Sequence, residues 1–236
     1  MLFFSRKHNL FETPLFEGFK DFHNHTLPAV DDGVKSIEDS LGVLAYFEQL
    51  GVREVVLTPH VMVGVNQISN LVLSTFEKLQ ATYSGPIKLS LASEYMLDYN
   101  FMEQFQKGVR MLSQSHILVE TSYLSAPENM DELLYEVACE GVTPMVAHPE
   151  RYHYMQKPKY HSLKESGCGL QLNLLSLGDV YGSHVTKNAL YILEQGLYDV
   201  MGTDLHSLRS FKGRISRIKL SSKHIDMLLK IKENIM

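Results

Sequence analysis

The stretch FKDFHNHTLPAVDDGVKSIEDSLGVLAYFEQLG, residues 19–51, carries the pattern that decides the fold. Its first seven residues predict a β-strand over 19–25. A polar loop follows, and Ser36-Ile37-Glu38-Asp39 resembles the capping box that begins a helix. Apolar residues then recur at helical spacing as far as Gly51, a residue typical of the position just after a helix. The stretch therefore predicts one strand–helix unit.

The same pattern recurs along the chain. Helices are predicted over 127–140, closed by Gly141, and over 184–195, closed by Gly196. A terminal amphipathic helix is expected over 221–236. Further strands are predicted at 53–60, 87–95, 116–121, 143–150, 169–174 and 198–206. Because strands joined through helices run parallel with right-handed crossovers, seven such units favour a closed α/β barrel over an open sheet.

Size and composition are those of one globular domain: 236 residues, 44% apolar and 21% charged. We expect a leader segment at 1–18 and a barrel domain at 19–236. A net charge of -5 argues against a nucleic-acid partner. Cys139 and Cys168 are too far apart in sequence to suggest a C-x-x-C site, and the first residues contain no apolar run of signal-peptide length. A cytoplasmic protein without membrane insertion is predicted.

Ionisable residues gather at the carboxyl ends of the predicted strands, which all lie on one face of a parallel barrel. A combination of imidazole and carboxylate donors suits Mn, Fe or Zn. Allowing about four to six ligands per ion, so many donors require two or three divalent cations. The predicted metal ligands are His23, His25, Asp32, His60, Glu94, Glu120, His148, Asp204 and His206.

Each of these motifs also has an ordinary structural explanation. The pair His23-x-His25 could be a satisfied core pair, Asp31-Asp32-Gly33 a turn, and Glu94 an ion-pair partner. In an extended strand, however, residues two apart point the same way, so His23-x-His25 and Asp204-x-His206 can each direct both side chains inward. Burying so many charges together without cations would cost several kcal/mol for each unpaired charge. Their conjunction therefore favours a shared metal cluster.

Two arginines are candidate catalytic and substrate-binding residues. Arg151 follows His148 by three residues, and Arg209 follows His206 by the same interval. Guanidinium binds phosphate bidentately and stays charged, although either residue could instead form a surface salt bridge. Neither cysteine is followed by an arginine six residues later, and the chain has no G-x-S-x-G elbow. The sequence thus favours metal-dependent phosphoester hydrolysis without a protein nucleophile.

Four motifs in this order resemble the polymerase and histidinol phosphatase (PHP) superfamily: DFHNHTLPAVDDG at 21–33, TPH at 58–60, AHPER at 147–151 and GTDLH at 202–206. Within it the chain is most similar to the bacterial protein-tyrosine phosphatases of capsular and exopolysaccharide synthesis, over about 19–211. The resemblance implies a distorted seven-stranded (β/α)7 TIM-like barrel with a trinuclear site, often manganese. It would place one ion with His23, His25, Glu94 and Asp204, a second with Glu94, Glu120 and His148, and a third with Asp32, His60 and His206.

Two departures from that branch are visible. Members often carry a second histidine after Thr-Pro-His, where this chain has Val61, and they usually begin at the first strand. The first departure concerns auxiliary substrate contacts. The leader at 1–18 could add a docking or dimerisation segment.

The function implied is hydrolysis of phosphotyrosine on the tail of a polysaccharide-biosynthesis tyrosine kinase by metal-bound hydroxide. A phenol leaving group, with a pKa of about 10, needs less help from a general acid than a serine alkoxide would. The alternatives are a histidinol phosphatase or other small-molecule phosphomonoesterase, and an inactive barrel that binds metal or a phosphopeptide. A polymerase-type exonuclease and an amidohydrolase fit less well, because the chain is acidic and lacks the bridging lysine of amidohydrolases.

Overall fold

Parallel strands alternate with helices along the chain. The computed structural model describes residues 7–66 and 70–234. The strands are β1 (Lys7–Asn9), β2 (Lys20–Asn24), β3 (Glu54–Leu57), β4 (His60–Val61), β5 (Lys88–Leu91), β6 (Glu94–Met96), β7 (His116–Glu120), β8 (Thr143–Ala147), β9 (Gly169–Asn173), β10 (Val200–Gly202) and β11 (Lys219–Ser221). The helices are α1 (Ile37–Leu50), α2 (Asn70–Thr82), α3 (Phe101–Lys107), α4 (Met130–Cys139), α5 (Lys157–Glu165), α6 (Ser183–Glu194), α7 (Leu208–Ile215) and α8 (Ser222–Lys232).

The strands curl around a common interior. One parallel sheet has the order β10-β9-β8-β7-β6-β4, and a second has the order β2-β3-β5. The two meet where a parallel bridge pairs Asn24 with Leu205 and where Asp204 N donates to His23 O at 2.8 Å. The α/β class with a parallel sheet is confirmed. The strands predicted at 53–60 and 87–95 are each divided in two, and the predicted count of seven stays a prediction.

Helix boundaries follow local signals in the sequence. The Ser36 side chain accepts a hydrogen bond from Asp39 N at the start of α1, and Gly51 ends the helix in the left-handed conformation at φ 82. Between them α1 buries Val43, Leu44 and Phe47 against the sheet. Burying a side chain of this kind contributes about 1.5–3 kcal/mol. The predicted start and end of this helix are both confirmed.

The first described residues pack against the last elements of the chain. Strand β1 pairs antiparallel with β11, and Leu10 and Leu15 are fully buried. Lys232, in the last turn of α8, donates to the carbonyls of Pro14 and Glu17 at 2.9 and 3.0 Å. Residues 1–6 of the predicted leader and 235–236 of the predicted terminal helix lie outside the described residues. Within the described ranges no helix is both long and apolar enough to cross a membrane.

Candidate metal centre

All nine predicted ligands converge in one cluster. His23 lies within β2, His60 begins β4, Glu94 begins β6 and Glu120 ends β7. The other five follow directly after strands or lie in the loops beyond them: His25, Asp32, His148, Asp204 and His206. Seven of the nine are buried or nearly so; Asp32 and His206 are more exposed, with side-chain accessibilities of 71% and 32%. The structure therefore brings the whole predicted set together.

Two of these ligands leave the extended conformation. His148 has φ 33 and Asp204 has φ 49, in the left-handed region that non-glycine residues seldom adopt. Strands β8 and β10 accordingly stop at Ala147 and Gly202, short of the predicted ends at 150 and 206. The prediction that Asp204 and His206 lie in an extended strand was wrong, because the chain turns at Asp204. Such a conformation costs of order 1–3 kcal/mol and persists only where its surroundings enforce it.

A glycine makes room for the first histidine. A Cβ added at Gly202 would lie 2.4 Å from the Cβ of His23 and 2.9 Å from its backbone nitrogen. Neither atom can move without shifting β2. Gly202 therefore permits the close approach of β10 to β2 that sets His23 beside Asp204.

The ligand atoms form four overlapping groups, and within each the atoms lie within 4.8 Å of one another. The groups are His25, Asp32, His60 and His206; His23, His25 and Asp204; His23, Glu94 and His148; and His60, Glu94 and Glu120. Glu120 is thus grouped with His60, and His148 with His23, whereas the resemblance paired Glu120 with His148. The assignment of ligands to individual ions remains a prediction.

Interatomic distances test whether divalent cations fit here. His60 Nδ1 lies 3.0 Å from Glu94 Oε2 and 2.9 Å from Glu120 Oε1. These three atoms are buried, and among the described residues none of them has a well-directed hydrogen bond. His23 Nε2 and His25 Nε2 are 3.0 Å apart. Two donors each about 2.1 Å from a shared cation would be separated by about 3 Å. The donor set fits a cluster of divalent metal ions.

The pKa shifts at three of the ligands favour the forms that bind cations. Burial alone would raise the pKa of Asp204, but His23, His25 and Arg151 hold it well below its ordinary value. Burial is likewise outweighed at Glu94, where His23 and His60 hold the pKa well below its usual range. Burial, together with the Arg151 charge, lowers the pKa of His148 to about 4. Asp204 and Glu94 are thus ionised, and His148 is a neutral imidazole. At His23, His25 and His60 burial would lower the pKa, but the neighbouring carboxylates raise it, so these three imidazoles must lose a proton before they bind a cation.

Supporting residues that the sequence analysis did not assign orient these ligands. Asp31 Oδ2 accepts from His25 Nδ1 at 2.9 Å and from His60 N at 3.2 Å. Gln171 Oε1 lies 3.0 Å from His23 Nδ1. With Nδ1 donating outward, Nε2 of each of these two histidines is left free to ligate a cation. A signal for Gln171 was available, because it lies between two leucines in the fully buried strand β9.

A buried carboxylate, Asp21, joins the two parallel sheets. Asp21 accepts from Thr203 N at 2.8 Å, from Thr203 Oγ1 at 2.6 Å and from Asn24 Nδ2 at 2.9 Å. Burial raises the pKa of Asp21, while these hydrogen bonds act in the opposite direction. Because Asp21 precedes His23 and Thr203 precedes Asp204, these bonds fix the relative positions of two ligands.

A cavity of about 440 Å³ opens over the donor cluster. Its walls include six of the ligands and seven apolar or aromatic side chains: Met62, Met96, Tyr123, Leu175, Tyr181, Leu205 and Phe211. Arg151 and Arg214 are the arginines in its lining. Arg214 was missed in the sequence analysis, although it lies three residues after Phe211 on α7, at the spacing of one helix face.

Arg209 lies in a neighbouring cavity of about 750 Å³ between α1, α7 and the loop around Asp32. This second cavity also contains Lys35 and Lys212, and it shares Asp32 and His206 with the first. A contact between Arg209 and substrate remains a prediction.

The chain is similar in sequence to a known protein family and to named proteins. A family model for capsular polysaccharide synthesis, CpsB/CapC, matches residues 19–228. The tyrosine-protein phosphatase YwqE of Bacillus subtilis is 27% identical over 199 residues, which cover 80% of this chain and 78% of that protein. The tyrosine-protein phosphatase CpsB of Streptococcus pneumoniae is 28% identical over 205 residues, which cover 80% and 84%.

A solved structure shares the fold. It comes from a crystallographic study of YwqE from Bacillus subtilis and CpsB from Streptococcus pneumoniae, described as metal-dependent tyrosine phosphatases. It superposes with a TM-score of 0.74 at 23% sequence identity, covering 91% of this chain and 86% of the other. The shared fold therefore extends over nearly the whole chain.

Proposed function

The chain belongs to the CpsB/CapC family of capsular polysaccharide synthesis proteins, and on that premise we propose that it is a metal-dependent protein-tyrosine phosphatase. The observation that carries the proposal is the convergence of nine histidine and acidic side chains into four overlapping donor groups beneath one cavity. The relatives named above are tyrosine-protein phosphatases. The free thiols offer no competing nucleophile there, since neither Cys139 nor Cys168 lines that cavity.

The cavity suits an aryl phosphate. Its floor is the donor cluster, which would bind phosphoryl oxygens through the cations, and its walls include Tyr123, Tyr181 and Phe211. Aromatic side chains of this kind pack favourably against a substrate ring. Aromatic and apolar side chains beside an anion-binding donor cluster favour phosphotyrosine over the phosphate of a short, polar side chain.

Divalent cations in the cluster would lower the pKa of a bound water from that of bulk water to about 7 and so supply the nucleophile at neutral pH. The chain's own residues hold the donors and neutralise the phosphate. Arg151 has one N–H committed to Asp204, and its remaining donors are available for phosphoryl oxygens. Arg214 adds a second positive charge to the same cavity, and Arg209 would add one from the neighbouring cavity.

The finer assignments belong to the same proposal. We propose two or three bound ions, with Mn²⁺ as the native metal and Fe²⁺ or Zn²⁺ as the alternatives, because the set contains only nitrogen and oxygen donors and no thiolate. The fold would be the seven-stranded (β/α)7 barrel of the PHP superfamily, and the substrate a phosphotyrosyl protein such as the tail of a capsule-synthesis tyrosine kinase. Two free cysteines are consistent with a cytoplasmic location.

The same cavity admits a second candidate function. A cavity of about 440 Å³ would also hold a small phosphomonoester such as histidinol phosphate. The two enzymes are separated by supplying the purified Mn²⁺-loaded protein with a phosphotyrosyl peptide, the matching phosphoseryl peptide and histidinol phosphate, and measuring phosphate release and metal content together. The proposal expects the highest kcat/KM for the phosphotyrosyl peptide.

Replacement of Asp204 by Ala should abolish turnover while the far-UV circular dichroism spectrum stays unchanged. Preference for histidinol phosphate would replace the proposed substrate class. Phosphopeptide binding without phosphate release by the fully loaded protein would instead identify an inactive binding barrel.

A further inference from the structure

We infer that Arg151, Asn173, Tyr123 and Tyr181 form one assembly, termed here the Arg151 cluster, whose task is to fix the orientation of the metal ligand Asp204. The inference rests on the proposed metal-dependent function and adds to it. It assigns these four side chains as positioning residues that act on metal affinity through Asp204. Arg151 thus orients Asp204 whether or not phosphate is bound.

The two carboxylate oxygens of Asp204 face different partners. Oδ1 lies 3.4 Å from His23 Nε2 and 3.4 Å from His25 Nε2, on the side of the donor cluster. Oδ2 accepts a hydrogen bond from Arg151 Nη1 at 2.7 Å and a second from Asn173 Nδ2 at 2.9 Å. One oxygen is therefore held by two donors while the other is presented to the cations.

Arg151 is itself held in place. Its guanidinium carbon lies 4.6 Å from the ring centroid of Tyr123 and 4.2 Å from that of Tyr181, both within cation–π distance. The Arg151 side chain is only 15% exposed. The Tyr181 hydroxyl also lies 3.5 Å from Asn173 Nδ2, so the two donors to Oδ2 contact the same tyrosine.

The backbone conformation of Asp204 needs support from neighbouring residues. Its φ of 49 is unfavourable for a residue with a side chain, so the conformation must be imposed by surrounding interactions. Two charge-assisted or amide hydrogen bonds to Oδ2 are such interactions. Without them the carboxylate could rotate and remove Oδ1 from the cations.

The order of charges around Asp204 also supports a positioning role for Arg151. A guanidinium beside several divalent cations is repelled by them unless a carboxylate lies between. Here Asp204 occupies that position, with Arg151 on Oδ2 and the donor cluster on Oδ1. Tyr123 further links the cluster to a second ligand, because its ring centroid lies 5.8 Å from that of His148.

Metal affinity, rather than activity alone, distinguishes this role from simple phosphate binding. Outer groups that orient metal ligands typically change metal affinity or activity by about 10- to 100-fold when they are replaced. A residue that only contacts phosphate would raise KM for substrate and leave the affinity for Mn²⁺ unchanged.

The test is a Mn²⁺ titration of full-length protein, with free Mn²⁺ measured by its electron paramagnetic resonance signal. Asn173→Asp keeps the side-chain oxygen that accepts from Leu175 N but places a negative charge beside Oδ2. We expect it to weaken the tightest Mn²⁺ binding by about 10- to 100-fold. Tyr181→Leu removes one ring from Arg151 and should weaken binding about fivefold, whereas Tyr181→Phe keeps the ring and should bind nearly as the wild type does.

The matched control is Tyr191→Leu, which removes the ring beneath Lys157, 4.3 Å away, on a different surface. It should leave Mn²⁺ affinity and turnover unchanged. In Tyr181→Leu, excess Mn²⁺ should restore most of kcat, as expected of a residue that acts through the metal.

Wild-type Mn²⁺ affinity in both Asn173→Asp and Tyr181→Leu, with normal circular dichroism spectra, would overturn the inference while leaving the proposed function intact. A wild-type protein that binds Mn²⁺ without hydrolysing phosphotyrosine would defeat the proposed function alone. A wild-type protein that binds no Mn²⁺ would overturn both.

Discussion

Replacement of Glu94 by Gln is the most informative single change to the donor cluster. Glu94 is fully buried and belongs to two of the four donor groups. Its Oε1 lies 3.0 Å from His148 Nε2, while Oε2 lies 3.1 Å from His23 Nε2 and 3.0 Å from His60 Nδ1. Gln has nearly the same shape but no charge, so it weakens both groups without opening a cavity.

The expected size of the effect follows from ligand linkage. With free metal at about 100 times Kd, each site stabilises the folded protein by about 2.7 kcal/mol, or about 5.4 kcal/mol for the two groups that contain Glu94. For a chain of this length that corresponds to a rise in Tm of about 10–20 °C. If the substitution raises both Kd values about 100-fold, the same metal concentration contributes only about 0.8 kcal/mol, or about 2–3 °C.

The assay is differential scanning calorimetry of the metal-stripped protein with and without Mn²⁺. The quantity compared is the Mn²⁺-dependent rise in Tm within each protein, so any effect of the substitution on the metal-free fold cancels. The matched control is Glu194→Gln, because Glu194 also contacts a histidine, His224, at 2.9 Å but lies on the surface outside the donor groups.

The control should keep the full Mn²⁺-dependent rise, and Glu94→Gln should lose most of it. A rise in Glu94→Gln equal to that of the wild type would refute the reasoning, because it would mean that the cations do not bind at the groups containing Glu94.

Three further changes test other parts of the structure. Leu15 is fully buried in the hydrophobic core. Leu15→Ala should therefore lower the free energy of unfolding in urea by about 2–5 kcal/mol without changing kcat per folded molecule. A loss below about 1 kcal/mol would show that the segment around Leu15 contributes little to the stability of the fold. Burial raises the pKa of Cys168 to about 11, so a thiol reagent at pH 8 should label only the exposed Cys139 until the protein unfolds. Rapid labelling of both cysteines in the folded protein would contradict the burial of Cys168. Burial would raise the pKa of Glu54, but Lys20 and its other partners hold it below the ordinary 4.5. The ionised carboxylate therefore stabilises the fold above pH 4.5 and loses this effect below it, so Glu54→Gln should have a lower free energy of unfolding than the wild type at pH 7, with a difference that closes as the pH falls below 4.5. A difference that does not change with pH would show that the charge of Glu54 is not its cause.

Local signals predicted much of the fold and the ligand set. The capping serine at Ser36 and the glycines at 51, 141 and 196 mark helix ends in the structure as they do in the sequence, with φ values of 82, 76 and 66 at the three glycines. The ligands were recognisable because a parallel barrel gathers all strand ends on one face, so position along the strand predicts position in space.

The remaining features depend on contacts between distant segments. The positive φ values at His148 and Asp204 are rare for any residue other than glycine, and the enrichment of Asp and His at such angles is too weak to predict them from sequence. Asp31 precedes a predicted ligand, but its hydrogen bonds to His25 and His60 N arise only when two loops meet. The pairing of β1 with β11 joins residues more than 200 positions apart and left no periodic pattern in either short strand.

The most direct test of the central claim is an anomalous difference map from crystals of the protein soaked in Mn²⁺, with data collected on both sides of the manganese absorption edge. The account predicts two or three peaks among the side chains of His23, Glu94, His148 and the other donors, each within about 2.0–2.3 Å of several nitrogen or oxygen atoms. A map with no peak among these side chains, in crystals whose protein hydrolyses phosphotyrosine, would contradict it.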